Sequence, residues 1–515
     1  MNIRNNKKII DKIFFTFLFI LGAFLIIFSL TYQVNIEKLK YFDWKVQNGF
    51  NLFLNHFINL NVLPYHGSFY ESVKDLNDID IAKHEDFSIR YFALGITYVP
   101  ITSYLLKFIS IENYTIFNHF FSYCIGFLGL LLWRNHFKFT RLSVIIYFFF
   151  ILFNGSIVSK ISVGHLIFTG LGQYFYPIIF YLFYKIFFKI GKKLKNIYIA
   201  YFIFCILILS SFGNIISIYH IFLAIIILKL FFLGQILDFL KIYFFSICIL
   251  AYYLLPTIFF SPYLDSPRVV FAGYGFLDYI DKELSIIDHD IYNNIFIKVI
   301  FHLKNIFNQI FIATSVYFNP NYDEVWEWNF FLGYPFLFIM IVFNIYFYIY
   351  QKNTINKKIF LFLVIFLILS ISLFSQKLFF LFGYILNYKL PVPDRLPTRL
   401  FQFIFYLVLL IFIINFDSFY KKIRKEYFKK IIILIFPILI YPIIQNYINW
   451  LPYNFKDSNL AALSLDDGRV NQASKIYYFA DDALYIDLVK YGFSITILTT
   501  FLLVLFIFYN RKKSS

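Results

Sequence analysis

The chain has 515 residues, of which 60% are hydrophobic and only 15% are charged, and Phe (75 residues) is unusually common. Apolar runs of roughly 20 residues recur along it, and each is long enough to cross the ~30 Å hydrocarbon core of a bilayer. These features exclude an ordinary soluble globular protein. The formal net charge of +17 does not indicate a nucleic-acid partner, because positive and negative charges are segregated between different loops.

The first apolar run, residues 13–31, follows a basic amino-terminal segment that extends from Arg4 to Lys12. By the positive-inside rule, this segment places the amino terminus in the cytoplasm. No small-residue cleavage site follows the run, so we expect it to remain as a membrane anchor. Residues 32–90 then form a long loop of mixed polarity on the outside.

Residues 91–110 are apolar but are interrupted by Pro100. A full crossing here would put the basic residues 134–141 on the wrong side, so we expect this stretch to be interfacial or re-entrant. The later crossings are predicted at residues 114–133, 142–158, 166–187, two within 197–233 that separate at 210–214, 242–260, 330–350, 359–375, 401–416, 431–447 and 491–509. The sequence therefore predicts an all-α polytopic membrane protein with about 12 transmembrane helices and both termini cytoplasmic.

The charges support this layout. We expect one integral membrane domain over residues 1–515, with long extracytoplasmic loops at residues 32–90, 261–329, 376–400 and 448–490. The cytoplasmic side would hold more than half of the 46 Lys and Arg residues, but among the 29 acidic residues only Asp11, Asp238, Asp417 and Glu426. Acidic residues contribute little to orientation, so their concentration outside indicates that the outside loops form a polar working assembly.

Three carboxylates of the first outside loop are candidates for a catalytic base. Asp43 lies beside Trp44, shortly after the first predicted span, where a carboxylate can take the proton of an acceptor hydroxyl. Glu85 and Asp86 follow His84 and offer further carboxylates for the role of base or metal ligand. The alternative for each is a solvated charge, with Trp44 serving as an interfacial anchor.

His165 is a candidate for binding phosphate or sugar. It follows Gly164 at the predicted outside start of the span at residues 166–187. A helix amino terminus favours anions, and a histidine there can add a hydrogen bond. A capping or interfacial histidine is the alternative.

Residues 390–400 combine charges with rigid backbone beside a predicted span. Three prolines within seven positions rule out a continuous helix, because each removes a backbone donor and restricts the residue before it. Asp394, Arg395 and Arg399 therefore lie in irregular backbone, which is tolerated at membrane depth only where protein or a water-filled cavity covers it. The planar fork of arginine matches phosphate in a bidentate way. An interfacial pair of arginines that anchors a helix end is the alternative.

The combination of a long acidic first loop, Gly164 before His165 and the arginine-rich residues 394–399 resembles the C-type glycosyltransferases (GT-C fold), in particular uncharacterised bacterial members. In that superfamily the first outside loop carries a catalytic Asp or Glu. Asp43, or otherwise Glu85 or Asp86, matches this position. The paired Asp-Asp of some members is absent beside Asp43.

The resemblance implies an enzyme of the bacterial inner membrane that transfers a sugar from a polyprenyl-phosphate donor to an extracytoplasmic lipid, glycan or protein acceptor. Its partners would be membrane lipid, the lipid-linked sugar and the acceptor, without nucleic acid. No nucleotide cofactor is expected, and the sequence leaves open whether a divalent metal is required. Two alternatives remain: a polysaccharide polymerase or ligase of the O-antigen type, centred on residues 261–329, and a lipid-linked glycan flippase. The flippase would need charges within its spans, which are almost free of them.

Overall fold

The structure is a computed structural model that describes residues 2–33, 105, 107–154, 157, 171–189, 192–211, 236–252, 254–255, 334–350, 400–450 and 483–512. Throughout these residues the regular secondary structure is helical, and they contain no β-strand. The expected all-α class is therefore confirmed for the described part of the chain. The number of spans and the long loops lie partly outside these residues and stay predictions.

Ten α-helices follow one another along the described residues. They are α1 (Asn2–Gln33), α2 (Ile111–Phe137), α3 (Arg141–Tyr147), α4 (Tyr176–Tyr184), α5 (Lys192–Ser211), α6 (Ile236–Ile249), α7 (Tyr334–Tyr350), α8 (Leu400–Lys422), α9 (Glu426–Trp450) and α10 (Ala483–Lys512). Two π-helices, Phe148–Leu152 and Lys185–Lys189, extend α3 and α4, and the 3₁₀ turn Leu171–Phe175 precedes α4.

Four of the described segments are long and apolar enough to cross a membrane, namely Ile9–Phe28, Asn113–Phe137, Glu426–Gln445 and Lys490–Asn510. Their outward faces carry large apolar side chains, such as Phe17 on α1 and Leu434 on α9, which are 60% and 72% exposed. Apolar surface of this extent is costly in water and favourable in lipid. The helices are therefore compatible with a membrane protein.

α2 lies at the centre of the described bundle and packs against α1, α4 and the 3₁₀ turn. Gly22 of α1 faces the Tyr123 ring of α2 so closely that an added Cβ would lie 2.1 Å from the phenol oxygen. The Tyr123 hydroxyl donates to the Phe19 carbonyl oxygen at 3.1 Å. Small residues at helix contacts let backbones approach in this way in membrane bundles.

The turn between α2 and α3 is tight and built by two caps. Lys138 ends α2 in the left-handed region, with a φ of 53°, and its N–H donates to the Arg134 carbonyl oxygen. Thr140 begins α3 as N-cap, and its hydroxyl accepts from the Ser143 N–H at 3.4 Å. This turn sets the position of a polar contact described below.

Several predicted spans coincide with helices, and others differ at their ends. The break predicted at residues 210–214 stays a prediction, because the described part of α5 reaches Ser211 and the residues that follow lie outside the described ones. The span predicted at 142–158 leaves helical geometry after Leu152. Of the span predicted at 166–187, the described part begins with the 3₁₀ turn at Leu171 and continues as α-helix from Tyr176. The prediction of a basic loop at 188–195 is wrong for its described residues, since helical geometry covers Lys189 and the residues from Lys192 onward. The span predicted at 359–375 lies outside the described residues.

Candidate functional site

All of the site residues predicted from the sequence lie outside the described residues. They are Asp43, Glu85 and Asp86 of the first loop, His165, and Asp394, Arg395 and Arg399. The described helices nevertheless adjoin two of these segments. Residues 155–170, which contain His165, begin directly after Asn154, and α8 begins directly after Arg399.

A buried cluster of Asn154, Gln173 and Tyr406 joins these places, and we call it the amide–phenol cluster. The Tyr406 hydroxyl donates to Gln173 Oε1 at 2.7 Å and accepts from Asn154 Nδ2 at 2.6 Å. All three side chains are fully buried. Buried polar groups of this kind are costly unless they are paired, so the two hydrogen bonds specify one arrangement of the three elements.

The local backbone presents the two amides to Tyr406. Asn154 follows the π-helix Phe148–Leu152, and Phe153 leaves helical geometry with φ −130° and ψ 32°. Gln173 lies in the 3₁₀ turn before α4. π-Helical turns are frequent at functional sites, and 3₁₀ turns are common at helix ends. Asn154 is also fixed locally, since its Nδ2 donates to the Ile151 carbonyl at 3.1 Å and its Oδ1 accepts from the Ile157 N–H at 3.2 Å.

A second buried contact lies beside the cluster on α2. His119 Nε2 is 3.1 Å from the Tyr174 hydroxyl, and the two rings meet edge to face at 5.5 Å between centroids. Tyr174 follows Gln173 in the same 3₁₀ turn. His119 Nδ1 and Asn118 Oδ1 are buried and have no hydrogen-bond partner among the described residues. This region is thus lined by neutral polar groups and aromatic rings, without a formal charge among the side chains named.

Charged contacts lie at the other end of the same helices. Asp417 of α8 is 2% exposed and accepts from the Thr140 N–H, the Thr140 hydroxyl and the Ser143 hydroxyl at 2.8, 2.9 and 2.8 Å. Lys421, one turn later, forms an ion pair with the same carboxylate. Asp417 therefore holds the start of α3 against the carboxyl-terminal end of α8.

Asp11 of α1 forms a second charged contact at this end. It pairs with Arg134 at 3.3 Å and with Arg141 at 2.8 Å, and both guanidinium groups also lie over phenylalanine rings of α1. We call Asp11, Arg134, Arg141 and Asp417 the charged end. A separate ion pair joins Lys195 at the start of α5 to Asp238 at the start of α6 at 2.5 Å.

The amide–phenol cluster connects the segments of the chain that adjoin it. Asn154 and Gln173 flank residues 155–170 on both sides, and both bind the single Tyr406 phenol. Tyr406 follows Arg399 by seven positions on the chain. One buried hydroxyl thus holds the two ends of the segment containing His165 against the helix that follows Arg395 and Arg399.

The sequence interpretation concentrated on charged residues and missed Asn154, Gln173 and Tyr406. A signal for two of them was available, because Asn154 and Gln173 interrupt runs that were predicted to cross the membrane. Polar side chains at such depth are expected to face the bundle interior and to find partners. Nothing in the sequence indicates that Tyr406 is that partner among 43 tyrosines.

Comparison with protein-family models, with curated proteins and with solved structures finds no match.

A metal site is not formed by the described residues, which contain no group of three or more His, Cys, Asp and Glu side chains. The three cysteines, Cys124, Cys205 and Cys248, are partly buried and unpaired. The carboxylates considered for metal binding, Glu85 and Asp86, lie outside these residues.

Proposed function

We propose that the protein is a membrane glycosyltransferase that moves a sugar from a polyprenyl-phosphate donor to an extracytoplasmic acceptor in the bacterial inner membrane. The observation that carries the proposal is the contact of Tyr406 with Asn154 and Gln173. It connects the segment with His165 to the helix that follows Asp394, Arg395 and Arg399. These four residues are the ones assigned to the substrate and its phosphate.

The distribution of carboxylates also supports the proposal. Of the four acids predicted on the cytoplasmic side, three are held in ion pairs, namely Asp11, Asp238 and Asp417. Their role is accounted for by helix packing. Apart from Glu426, the other acids belong to segments predicted outside, where the acceptor is expected.

The contacts of the charged end favour the predicted layout. Asp11, residues 134–141, Asp417 and Lys421 were each assigned to the cytoplasmic side from the sequence. Asp11 contacts Arg134 and Arg141, and Asp417 contacts Thr140 of the same loop. Residues on opposite sides of a membrane could not do so. The polarity of the layout, with both termini cytoplasmic, rests on the excess of Lys and Arg there.

The proposed reaction requires a base for the acceptor proton and cations for the leaving phosphate. The acceptor oxygen bonds to the anomeric carbon while the bond from that carbon to the phosphate oxygen breaks, and the anomeric configuration inverts. A carboxylate, Asp43 or otherwise Glu85 or Asp86, takes the hydroxyl proton. The electron pair leaves with polyprenyl phosphate, whose charge Arg395 and Arg399 stabilise, with His165 as a further donor.

The test replaces each arginine by lysine in cells that make the lipid-linked donor. Lysine offers a point charge in place of a bidentate fork, so we expect glycan product to fall on the order of 100-fold while donor accumulates. Arg511→Lys, at the carboxyl end of α10, serves as the matched control and should leave product unchanged. Insertion and expression are compared by immunoblotting.

The other functions predict different outcomes. Unchanged product from both Arg395→Lys and Arg399→Lys would reduce residues 390–400 to a membrane anchor and contradict the proposal. Loss of product with intact donor trapped on the cytoplasmic leaflet would identify a flippase. Loss of long polymer with single-unit transfer retained would identify a polymerase.

A further inference from the structure

The turn between α8 and α9 concentrates positive charge. α8 ends at Lys422 and α9 begins at Glu426, and six of the ten residues from 421 to 430 are Lys or Arg, with Glu426 the one acid. Lys421 is engaged, because it pairs with Asp417 and donates to the Phe137 carbonyl at 3.0 Å. The other five are Lys422, Arg424, Lys425, Lys429 and Lys430.

These five cations are not neutralised by the described protein. Lys422, Arg424, Lys425 and Lys430 are exposed, and within the described residues none of the five forms an ion pair. Lys429 lies 5.9 Å from the centroid of the Tyr420 ring. Like charges so close together repel one another, and a counter-charge from outside the chain would relieve this.

Exposed aromatic and aliphatic surface adjoins the cations. The Tyr427 and Phe428 rings are in contact, with 4.2 Å between centroids, and they are 56% and 44% exposed. Ile431 and Leu434 continue the exposed surface along α9, with Leu434 at 72%. At 1.5 Å rise per residue, Lys425 and Leu434 are separated by roughly 13 Å along the helix axis.

We propose that this turn is a binding site for anionic phospholipids, with the headgroup phosphates on the cations and the acyl chains along the exposed face of α9. The cations of the turn come first, the aromatic pair and two further cations share the start of α9, and aliphatic side chains follow, which matches the order of headgroup, interface and chain in a lipid. A soluble acidic protein or a nucleic acid would match the cations but leave the adjoining aliphatic surface without a partner.

The proposal does not depend on glycosyl transfer, and its test uses the full-length protein. Purified protein is reconstituted in phosphatidylcholine vesicles that contain a minor fraction of spin-labelled phosphatidylglycerol, and electron spin resonance measures the motionally restricted lipid. The variant carries Lys422→Gln, Arg424→Gln, Lys425→Gln and Lys430→Gln. The control carries Lys422→Arg, Lys425→Arg and Lys430→Arg, which retain every charge.

We expect the glutamine variant to lose at least about fivefold in preference for phosphatidylglycerol over phosphatidylcholine, the effect of one cation near an anionic surface. The arginine control should keep its preference. High salt should lower the preference of the unmodified protein as well, because exposed charges are screened, and this measurement needs no variant. A preference unchanged in the glutamine variant or in high salt, or lost equally in the control, would overturn the proposal.

Discussion

The charged end and the amide–phenol cluster lie on the same helices but stabilise their packing with different types of polar group. α8 contributes Asp417 to one and Tyr406 to the other, eleven positions apart. At 1.5 Å per residue this is roughly 16 Å, about half the thickness of the hydrocarbon core. Similarly, α3 starts at the Thr140 contact with Asp417 and is followed, after its π-helical extension, by Asn154.

The two regions differ in the type of polar group that each contains. At the charged end, Asp11 and its arginines stay partly exposed, and the buried Asp417 is surrounded by four donors. In the cluster, three fully buried side chains are all neutral. An isolated charge costs far more than an amide or hydroxyl in an apolar medium. Ionic contacts therefore lie toward the helix ends, and neutral hydrogen bonds specify the packing within the bundle.

The largest effect is expected for Asp417→Ala. The substitution leaves Lys421, the Thr140 N–H and two hydroxyls without their shared acceptor, and removal of one partner from a buried pair typically costs 3–5 kcal/mol. Because Lys421 is itself partly exposed, we expect a loss of about 3 kcal/mol in the free energy of unfolding. Unfolding by a denaturing detergent in mixed micelles measures it.

Asp487→Ala is the matched control for Asp417→Ala. Asp487 is 3.9 Å from Lys490, and both side chains are more than half exposed. Such surface pairs contribute only about 0–1 kcal/mol. Equal losses in the two variants would contradict the claim that burial of Asp417 determines its contribution.

The next effect is expected for Tyr406→Phe, which removes one oxygen atom from the amide–phenol cluster. Gln173 and Asn154 each lose a partner, so we expect a loss of about 1–2 kcal/mol in the free energy of unfolding. If the cluster positions the segments that bind the donor, the KM for lipid-linked sugar should also rise. Tyr147→Phe is the control, because the Tyr147 hydroxyl is buried without a partner among the described residues. A neutral Tyr406→Phe would show that shape alone holds these elements.

The smallest effect is expected for Asp11→Asn. Its ion pairs with Arg134 and Arg141 are partly exposed, so the loss should stay below about 1 kcal/mol. The difference between Asp11→Asn and the unmodified protein should shrink as salt rises, because screening shortens the range of exposed charges. A loss as large as that of Asp417→Ala, or one independent of salt, would remove the distinction between the two acids.

Hydropathy predicts where the chain is helical and apolar but not how each segment ends. Residues 13–31 and 491–509 fall inside α1 and α10, since long apolar runs are unambiguous. The helices are longer than these runs because the polar residues that flank each run are also helical. The π-helix after α3 and the 3₁₀ turn before α4 depend on packing, which the pattern of apolar residues does not contain.

The sequence predicts which type of polar contact forms in each region but not which residues form it. The sequence predicts that Asp11 and Asp417 lie on one side, because both lie near basic loops, and in the structure both contact the loop region at residues 134–143. It does not predict that Asn154 and Gln173 share Tyr406, since the partners are 252 and 233 positions away. The choice of partner follows from the packing of α3 and α8 against the 3₁₀ turn, which is a tertiary property.

The central claim is that sugar is transferred from a lipid phosphate, and the most direct test follows both products of that step. Membranes containing the unmodified protein are supplied with polyprenyl-phosphate sugar labelled in the sugar and in the lipid. We expect labelled glycan and free polyprenyl phosphate to appear in equal amounts, and both to fall on the order of 100-fold with Arg395→Lys. Donor that reaches the opposite leaflet intact, with no polyprenyl phosphate released, would contradict the account.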